Sequence, residues 1–305
     1  MTVDRPLAVD SAGQRLSGTL TLPDGAGPHP LALLLPGSGP INRDGDHRRL
    51  PLGIQRHLAA ALTGAGIAVA RYDRRGVGES SGEFLRTGFH DNVDDAAAVL
   101  AAVRDDPAVD AGRLFLVGHS EGALTAVALA ARGVPVAGLV LLSAPGRTGA
   151  EVLRRQAGLL LPTLPAPVRL VLRLTRTDLV AKVARNHEKI LATDKDVAWV
   201  GGQRLNARWF REFLRYDPRP DLARVDAPIL ALTGDKDLQT DPADLPVIAA
   251  HAGGPVQTGV LPDVTHVLRR RAGPPSLRAY RDEAKQPLDP SVVEPVLSWL
   301  AAHSG

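Results

Sequence analysis

The fold is decided by the stretch Leu114-Phe115-Leu116-Val117-Gly118-His119-Ser120-Glu121-Gly122-Ala123-Leu124. Its apolar beginning predicts a buried strand, and the alanine- and leucine-rich residues after Gly122 predict a helix. The five residues between them have the G-x-S-x-G spacing of a nucleophile elbow, a sharp turn that holds a serine hydroxyl clear of the backbone. We expect a strained backbone at Ser120, with Gly118 and Gly122 leaving room for strand and helix to pass closely. Because an ordinary strand-to-helix turn also gives this pattern, the interpretation requires a base and an acid further along the chain.

Strands and helices alternate on both sides of this stretch. Residues 31–35 are apolar throughout, as in a strand that is buried on both faces of a parallel sheet. Further buried strands are predicted at 67–72, 113–117, 136–142, 229–232 and 256–261. Amphipathic helices are predicted between them, at 53–62, 92–104, 123–131 and 242–250. This alternation predicts an α/β domain whose mostly parallel sheet is covered by helices on both faces.

Helical periodicity replaces the alternation at residues 146–225. Apolar residues recur there in three stripes, which are Leu153, Ala157 and Leu160; Leu179, Val183, His187 and Ile190; and Trp209, Phe210, Phe213 and Leu214. Asn206 is placed to cap the third helix, and prolines break the region at Pro162, Pro165 and Pro167. We therefore predict a helical cap at 146–225, inserted between a first core part at 1–145 and a second at 226–305. Its apolar stripes predict a largely hydrophobic pocket above the elbow.

A serine nucleophile needs a general base, and open α/β sheets carry their functional residues just beyond the carboxyl ends of strands. Of the nine histidines, only His119 and His266 follow predicted strands. His119 adjoins Ser120 and should point away from it at the sharp turn, which favours a structural role beneath the elbow. His266 follows the last strand, in a loop able to reach back over the sheet, and is the predicted base.

The acid that orients this histidine is expected in the loop after residues 229–232, which offers Asp235, Asp237 and Asp241. Asp237 has left the strand and is able to turn toward the histidine, so it is the predicted acid. Asp235 lies closer to the strand end, where it shapes the turn, and it remains the alternative.

The negative oxygen of a tetrahedral intermediate needs preorganised N–H donors. The elbow supplies one of them, the backbone N–H of Glu121 at the start of the helix. The second is expected from Pro36-Gly37-Ser38-Gly39, which follows the strand at 31–35. We predict the N–H of Ser38, with that of Gly39 as the alternative. The side chain of Glu121 is interpreted as favouring the helix N-terminus electrostatically, and a bias against anionic substrates is the alternative.

Taken together, these motifs resemble the α/β-hydrolase superfamily, in the branch of bacterial esterases and acyl-peptidase-like hydrolases. The matching segments are 16–23, 36–40, 73–80, 118–122 and 234–237, together with His266. The resemblance covers nearly the whole chain and implies an eight-stranded, mostly parallel sheet with Ser120, Asp237 and His266 as triad, in the chain order of that family. It also implies a structural role for the glycine-rich loop at 76–82. Many relatives have His-Gly where this chain has Pro-Gly-Ser-Gly.

The composition is that of a globular protein with a core of Leu, Val and Ala, since 44% of the residues are hydrophobic and 23% charged. The absence of cysteine excludes disulfides, thiolate catalysis and zinc–thiolate sites. A formal charge of +3 does not indicate nucleic-acid binding, and Arg269-Arg270-Arg271 is interpreted as a solvated face.

No apolar run approaches the roughly 20 residues of a membrane span, and residues 1–6 lack the apolar core of a signal peptide. We therefore expect a cytoplasmic protein with no membrane partner.

Two further patterns do not predict a cofactor or a metal. The loop at 76–82 lacks the spacing and the following helix of a dinucleotide-binding turn. Asp44, Asp46 and His47 match no metal-ligand spacing and are interpreted as solvated loop residues. The predicted enzyme accordingly uses neither.

The predicted function is the hydrolysis of carboxylic esters through an acyl-enzyme on the serine, with a small-molecule substrate that has an apolar acyl or alcohol part. An aminopeptidase, an acyl-peptidase or a thioesterase would use the same triad. An aminopeptidase should also hold the substrate amine with acidic cap residues, and those present are scattered: Glu151, Asp178, Glu188, Asp194 and Asp196. The alternative of another class is an inactive hydrolase-like protein that binds a small ligand in the cap pocket.

Overall fold

A single eight-stranded sheet forms the centre of the protein. The structure is a computed structural model and describes residues 2–160, 174, 178–200 and 202–304. The strands within these ranges, which include the two-stranded pairs β4–β5 and β9–β10 outside the large sheet, are β1 (Val3–Ser11), β2 (Gln14–Leu22), β3 (His29–Leu35), β4 (Asp46–His47), β5 (Leu50–Pro51), β6 (Ala68–Tyr72), β7 (Val109–His119), β8 (Gly138–Leu142), β9 (Val197–Val200), β10 (Gln203–Asn206), β11 (Ile229–Gly234) and β12 (Val256–Leu261).

Helices connect these strands. They are α1 (Ile54–Gly64), α2 (Phe89–Arg104), α3 (Glu121–Ala130), α4 (Gly149–Leu160), α5 (Leu179–Leu191), α6 (Ala207–Arg215), α7 (Pro218–Leu222), α8 (Leu245–His251), α9 (Tyr280–Glu283) and α10 (Pro290–Ala302). Short 3₁₀ turns lie at Phe84–Arg86, Pro242–Asp244 and Leu277–Ala279. Within the described ranges, none of these helices has the length and hydropathy needed to cross a membrane.

The strand order of the large sheet is β1-β2-β6-β3-β7-β8-β11-β12. The pairs β1–β2 and β2–β6 are antiparallel, and all the other pairs are parallel. This confirms the predicted eight-stranded, mostly parallel sheet of an α/β-hydrolase. Since β3 and β7 are central and adjacent, the loop after residue 35 and the elbow after residue 119 emerge side by side at the same edge of the sheet.

Both faces of the sheet are buried, and β3 shows why its sequence is apolar at every position. Leu31, Leu33 and Leu35 belong to the core on the side of α2 and α3. Ala32 and Leu34 belong to the core on the opposite side, which is formed with α1 and α10. A strand with helices on both sides has no polar face, so its period-two alternation disappears from the sequence.

The described residues between β8 and β11 include α4 and α5, the hairpin β9–β10, and α6 and α7. Asn206 caps α6 as predicted, with Oδ1 accepting from the Trp209 N–H at 2.9 Å. Its Nδ2 donates to the carbonyls of Phe84 and Thr87, both at 2.7 Å, and so ties this region to the loop before α2. The hairpin was not predicted, because four residues a strand are too few to show a clear period. Pro162, Pro165 and Pro167, and the side chains of Leu160 and Leu179, lie outside the described residues.

Candidate active site

Ser120 lies at the turn between β7 and α3. Its φ of 56° and ψ of −119° confirm the expected strained backbone, since a positive φ is uncommon for any residue but glycine. The Ser120 N–H donates to the carbonyl of Leu142 on β8 at 2.9 Å, which fixes the turn against the neighbouring strand.

The two glycines of the elbow are required by close packing and not by their own dihedral angles. A Cβ on Gly118 would overlap the carbonyl of Gly122, and a Cβ on Gly122 would overlap the carbonyls of Leu35 and Pro36. The helix that follows the serine therefore presses directly on the end of β3. This contact brings the turn at 36–39 against the elbow.

His266 and Asp237 form a buried pair. His266 Nδ1 lies 2.8 Å from Oδ2 and 3.0 Å from Oδ1 of Asp237, and both residues are only 4% exposed. Asp237 Oδ1 also accepts from the N–H groups of Gln239 at 2.7 Å and Thr240 at 2.8 Å. Burial alone would raise the pKa of Asp237, but the charge of His266 and these hydrogen bonds outweigh it and hold the pKa below that of an ordinary aspartate. The carboxylate is thus ionised and fixed in position.

The other two candidate acids are directed elsewhere. Asp235 is exposed, and its Oδ1 accepts from the N–H of Asp263 at 2.7 Å. Asp241 caps the 3₁₀ turn at Pro242–Asp244 and pairs with Arg155 at 2.8 Å. Of the three carboxylates in this loop, the geometry brings only Asp237 to His266.

His119 lies beneath the elbow. The residue is 7% exposed, and its Nε2 donates to the backbone carbonyl of His266 at 2.8 Å. Burial and the neighbouring His266 lower the pKa of His119 to about 3, so the ring is neutral in the folded protein. A neutral imidazole whose Nε2 donates to a carbonyl supports the loop that carries His266.

The predicted oxyanion donors lie on adjacent segments. The N–H of Glu121 belongs to the first turn of α3, where N–H groups have no intrahelical acceptor. Ser38 makes no hydrogen bond with any other described residue, which leaves its N–H available. Ser38 lines the same cavity as Ser120 and His266, whereas Gly39 lines only a neighbouring one, and this favours Ser38 over Gly39.

The side chain of Glu121 has a different environment from the one the sequence suggested. It is 1% exposed and forms an ion pair with Arg74, whose Nη1 lies 3.1 Å from Glu121 Oε1. Asn92 Nδ2 donates to the same oxygen at 3.0 Å, and Arg74 Nη2 donates to the carbonyl of Pro36 at 3.0 Å. Arg74 was not predicted as a residue of the site, because segment 73–80 contributed only to the family resemblance and the structural role was assigned to residues 76–82.

The interpretation of the arginine cluster at 269–271 as a solvated face was wrong for Arg269, whereas the side chain of Arg270 is 50% exposed. Arg269 is fully buried, and its guanidinium donates to the carbonyls of Val267, Leu52 and Gln286. Burial lowers the pKa of this guanidinium to about 10. Since Val267 follows His266, these bonds tie the histidine loop to the segment before α1. Arg270 and Arg271 are engaged as well, by Asp289 and Glu283 respectively.

Two cavities meet at Ser38. The smaller has a volume of about 120 Å³ and contains Ser120 and His266; its walls are mainly Ile41, Leu50, Leu52, Ile54, Gln55, Gln239, Val267 and Tyr280. The larger, of about 330 Å³, lies between Ser38-Gly39 and the α6 region; its walls are Phe84, Leu85, Leu153, Arg204, Leu205, Asn206, Trp209 and Phe210. The site therefore offers one small space at the serine and one larger, mainly apolar space beside it.

The loop at 42–49 borders a third, wider cavity of about 720 Å³ that includes neither Ser120 nor His266. Asp44 and Asp46 on this loop are paired with arginines and are not simply solvated, since Asp44 contacts Arg71 and Asp46 contacts Arg56. In the part of the chain that the structure describes, no group of three His, Asp or Glu side chains is arranged to hold a metal ion.

Several known proteins resemble this chain. Residues 52–269 match the profile of the family described as serine aminopeptidase, S33. The esterase EstD of Thermotoga maritima is 26% identical over 288 residues, which cover 93% of this chain and 65% of the relative, so the chain spans less than two thirds of that protein. Est1E of Butyrivibrio proteoclasticus with bound ferulic acid has a TM-score of 0.64 at 17% identity, covering 97% of this chain and 98% of the other.

The proline iminopeptidase of Mycobacterium smegmatis is equally similar in structure, with a TM-score of 0.64 at 17% identity over 98% of this chain and 99% of the other. At such identities, the structural likeness establishes the fold alone. The family profile extends over more than half of the chain and includes the elbow and the segments that carry Asp237 and His266. The chain therefore belongs to the serine aminopeptidase S33 family and has the α/β-hydrolase fold.

Proposed function

We propose that this protein is a cofactor-independent serine hydrolase that cleaves carboxylic esters through an acyl-enzyme on Ser120. The observation that carries the proposal is the buried His266–Asp237 pair, whose histidine lines the same cavity as a serine at a strained elbow. The family match and the esterase name of the Thermotoga relative support the same activity.

In the proposed reaction, the Ser120 hydroxyl attacks the ester carbonyl while His266 Nε2 accepts its proton. Asp237 keeps the proton of His266 on Nδ1 and stabilises the imidazolium that forms. The imidazolium then protonates the leaving alcohol as the tetrahedral intermediate collapses to the acyl-enzyme. A water attacks the acyl-enzyme by the same route, with His266 again as the base, and the acid is released.

The negative oxygen of each tetrahedral intermediate would lie between the N–H groups of Glu121 and Ser38. Such donors are effective because they are already in position before charge develops, and losing one of them typically costs about 10²–10³ in kcat. The start of α3 adds the positive end of its helix dipole to the same place.

The cavities support a substrate with one short part and one larger apolar part. The space of about 120 Å³ at the serine suits a group of a few carbons. The space of about 330 Å³ beside Ser38 has an aromatic wall of Phe84, Trp209 and Phe210 and suits an aliphatic chain or a ring. We propose that the apolar part of the substrate occupies this larger cavity beneath the cap at 146–225.

A specific observation weighs against aminopeptidase activity, although the family is named for it. An aminopeptidase must bind the substrate's α-ammonium, which requires a carboxylate near the serine. Neither cavity is lined by an Asp or Glu among the described residues, and the larger one carries Arg204 instead. Residues 161–177 contain no acidic residue either, so they supply no carboxylate wherever they lie.

The direct test compares wild type with Ser120→Ala on p-nitrophenyl esters of acetate to octanoate. We expect hydrolysis by wild type and a loss of on the order of 10⁴-fold or more in the variant. A fluorophosphonate probe should label wild type and spare the variant. Equal ester hydrolysis by the two proteins would refute the proposal, and absence of labelling would favour an inactive ligand-binding protein.

A second comparison separates esterase from aminopeptidase. Leucine p-nitroanilide, with a free amine, and p-nitrophenyl butyrate release related chromophores and are assayed side by side. We expect turnover of the ester only. A kcat/KM for the anilide that exceeds that for the ester would reverse the assignment.

A further inference from the structure

We propose that Arg74 is a positioning residue for the oxyanion hole, where it holds in fixed relation the two segments that carry the N–H donors. The inference rests on the proposed function, because it concerns the same serine site. It assigns a role in the reaction to a residue that touches neither the substrate nor the triad.

The two arms of the Arg74 guanidinium contact the two segments. Nη1 donates to Glu121 Oε1 at 3.1 Å, and the backbone N–H of Glu121 is the first proposed donor. Nη2 donates to the carbonyl of Pro36 at 3.0 Å, two residues before the second proposed donor, Ser38. Because the guanidinium is planar and rigid, it fixes the distance between the elbow and the loop after β3.

This bridge is shielded from water. The side chains of Arg74 and Glu121 are 5% and 1% exposed, so their attraction is little screened by solvent or salt. Asn92 adds a second hydrogen bond to Glu121 Oε1 from α2, while Glu121 Oε2 has no hydrogen-bond partner in the described ranges. Within those ranges, Arg74 is the cation that neutralises the buried carboxylate of Glu121.

The loop that carries the second donor depends on this contact. Ser38 forms no hydrogen bond of its own with the described residues, and Gly39 has a φ of 106°, a conformation open to glycine but costly for other residues. Among the described residues, the Pro36 carbonyl is the group of this loop that accepts a hydrogen bond from a side chain. If Arg74 is removed, we expect the loop to keep its path and the Ser38 N–H to lose its fixed direction.

The neighbouring Arg75 provides a matched control. It pairs with Asp95 on α2 at 2.7 Å, with the two side chains 11% and 1% exposed. The residue type, the loop and the burial are therefore nearly the same. Within the described ranges, however, neither Arg75 nor Asp95 forms a hydrogen bond or ion pair with a segment that carries an oxyanion donor. Arg75→Met removes a buried ion pair without touching the proposed bridge.

The experiment measures kcat and KM for p-nitrophenyl butyrate, inhibition by an alkyl trifluoromethyl ketone, and the urea midpoint of unfolding. The ketone forms a hemiketal with the serine, so its oxyanion reports on the hole directly. For Arg74→Met we expect kcat to fall on the order of 10²-fold with KM changed less than about threefold, and the ketone to bind weaker by a similar factor. Arg75→Met should lower the urea midpoint while leaving kcat and ketone affinity within about threefold of wild type.

Two further variants keep the result decisive if Arg74→Met folds poorly. Arg74→Met/Glu121→Met replaces both buried charges with apolar side chains, which should restore the urea midpoint because no unpaired charge remains. Its kcat should stay low, since the tie to Pro36 is still missing. Arg74→Lys keeps the charge but not the two-armed geometry, and we expect it to lose kcat as well.

The outcomes for these variants distinguish failure of the positioning role of Arg74 from failure of the proposed function. Wild-type kcat and ketone affinity in the folded double variant would overturn the inference, as would an equal loss of kcat in Arg75→Met. These results leave the proposed function intact as long as Ser120→Ala is inactive. If wild type neither hydrolyses the ester nor reacts with a fluorophosphonate, the proposed function fails and the inference falls with it.

Discussion

The assignment of Asp237 as the acid makes a sharp prediction for Asp237→Asn. Its Oδ1 accepts the N–H groups of Gln239 at 2.7 Å and Thr240 at 2.8 Å. In the variant, these two donors should hold the amide oxygen at the Oδ1 position. The amide NH₂ then takes the place of Oδ2, which lies 2.8 Å from His266 Nδ1. An NH₂ group there requires Nδ1 to accept a hydrogen bond, so the proton of the neutral imidazole moves to Nε2.

A histidine protonated on Nε2 is unable to accept the proton of Ser120. The same tautomer change in Ser-His-Asp proteases lowers kcat about 10⁴-fold. At about 1.36 kcal/mol for each factor of ten, this corresponds to roughly 5.4 kcal/mol of lost transition-state stabilisation. We therefore expect Asp237→Asn to retain about one ten-thousandth of the wild-type kcat, with the fold preserved because both backbone N–H groups keep their acceptor.

The matched control is Asp235→Asn, two residues away in the same loop. Asp235 is exposed, and among the described residues its side chain accepts a hydrogen bond from the Asp263 N–H alone, at 2.7 Å, a bond that an asparagine oxygen also accepts. Its kcat for p-nitrophenyl butyrate should stay within about twofold of wild type. Urea midpoints for both variants establish that they are folded. The reasoning is refuted if Asp237→Asn keeps more than about a tenth of the wild-type kcat, or if Asp235→Asn is the variant that loses it.

Three further predictions address the packing, the pH dependence and the substrate cavity. Gly122→Ala should lower the free energy of unfolding in urea by more than about 2 kcal/mol, because the added Cβ overlaps backbone carbonyls. The control is Gly64→Ala, where a Cβ in the helix meets nothing within 4 Å and should leave stability unchanged or slightly higher. Equal effects of the two substitutions would contradict the packing argument. The pKa of His119 is about 3 in the folded protein and about 6.5 in the unfolded chain, so between pH 6.5 and pH 5 only the unfolded chain binds a proton at this residue. The free energy of unfolding should therefore fall by about 1.7 kcal/mol over that range, and His119→Gln should lack this loss. Leu205→Trp fills the larger cavity. It should lower kcat/KM for p-nitrophenyl octanoate at least tenfold more than kcat/KM for p-nitrophenyl acetate. The control Val260→Trp, at an exposed position, should change neither value.

Much of the fold was predictable because it depends on local or near-local physics. Residues 31–35 are apolar at every position because the strand is buried on both sides, and the elbow is recognisable because strand, glycine and helix must meet within five residues. Asn206 was identifiable as a cap since its side chain bonds to the chain only three residues further on. The order of strands then brings residues after β3, β7, β11 and β12 to one edge of the sheet.

Other features depend on contacts between segments distant in sequence, and these were not predictable. Arg269 looks like one member of a solvated cluster, because a charge is rarely fully buried without a partner. Its burial is made possible by three carbonyls, those of Leu52, Val267 and Gln286, of which Leu52 lies far away in the chain. No local sequence pattern around residues 269–271 predicts these carbonyl contacts.

Glu121 shows how magnitudes decide between two interpretations of one residue. An exposed carboxylate in the first turn of a helix gains only about 0.3–1 kcal/mol from the helix dipole. A carboxylate that is 1% exposed loses several kcal/mol of hydration, which the dipole does not offset. A partner is therefore required, and Arg74 and Asn92 supply it. Because Arg74 also holds the Pro36 carbonyl, the group that makes this burial tolerable also fixes the loop beside the serine. The charge of Glu121 and the placement of its backbone N–H are thus parts of one arrangement.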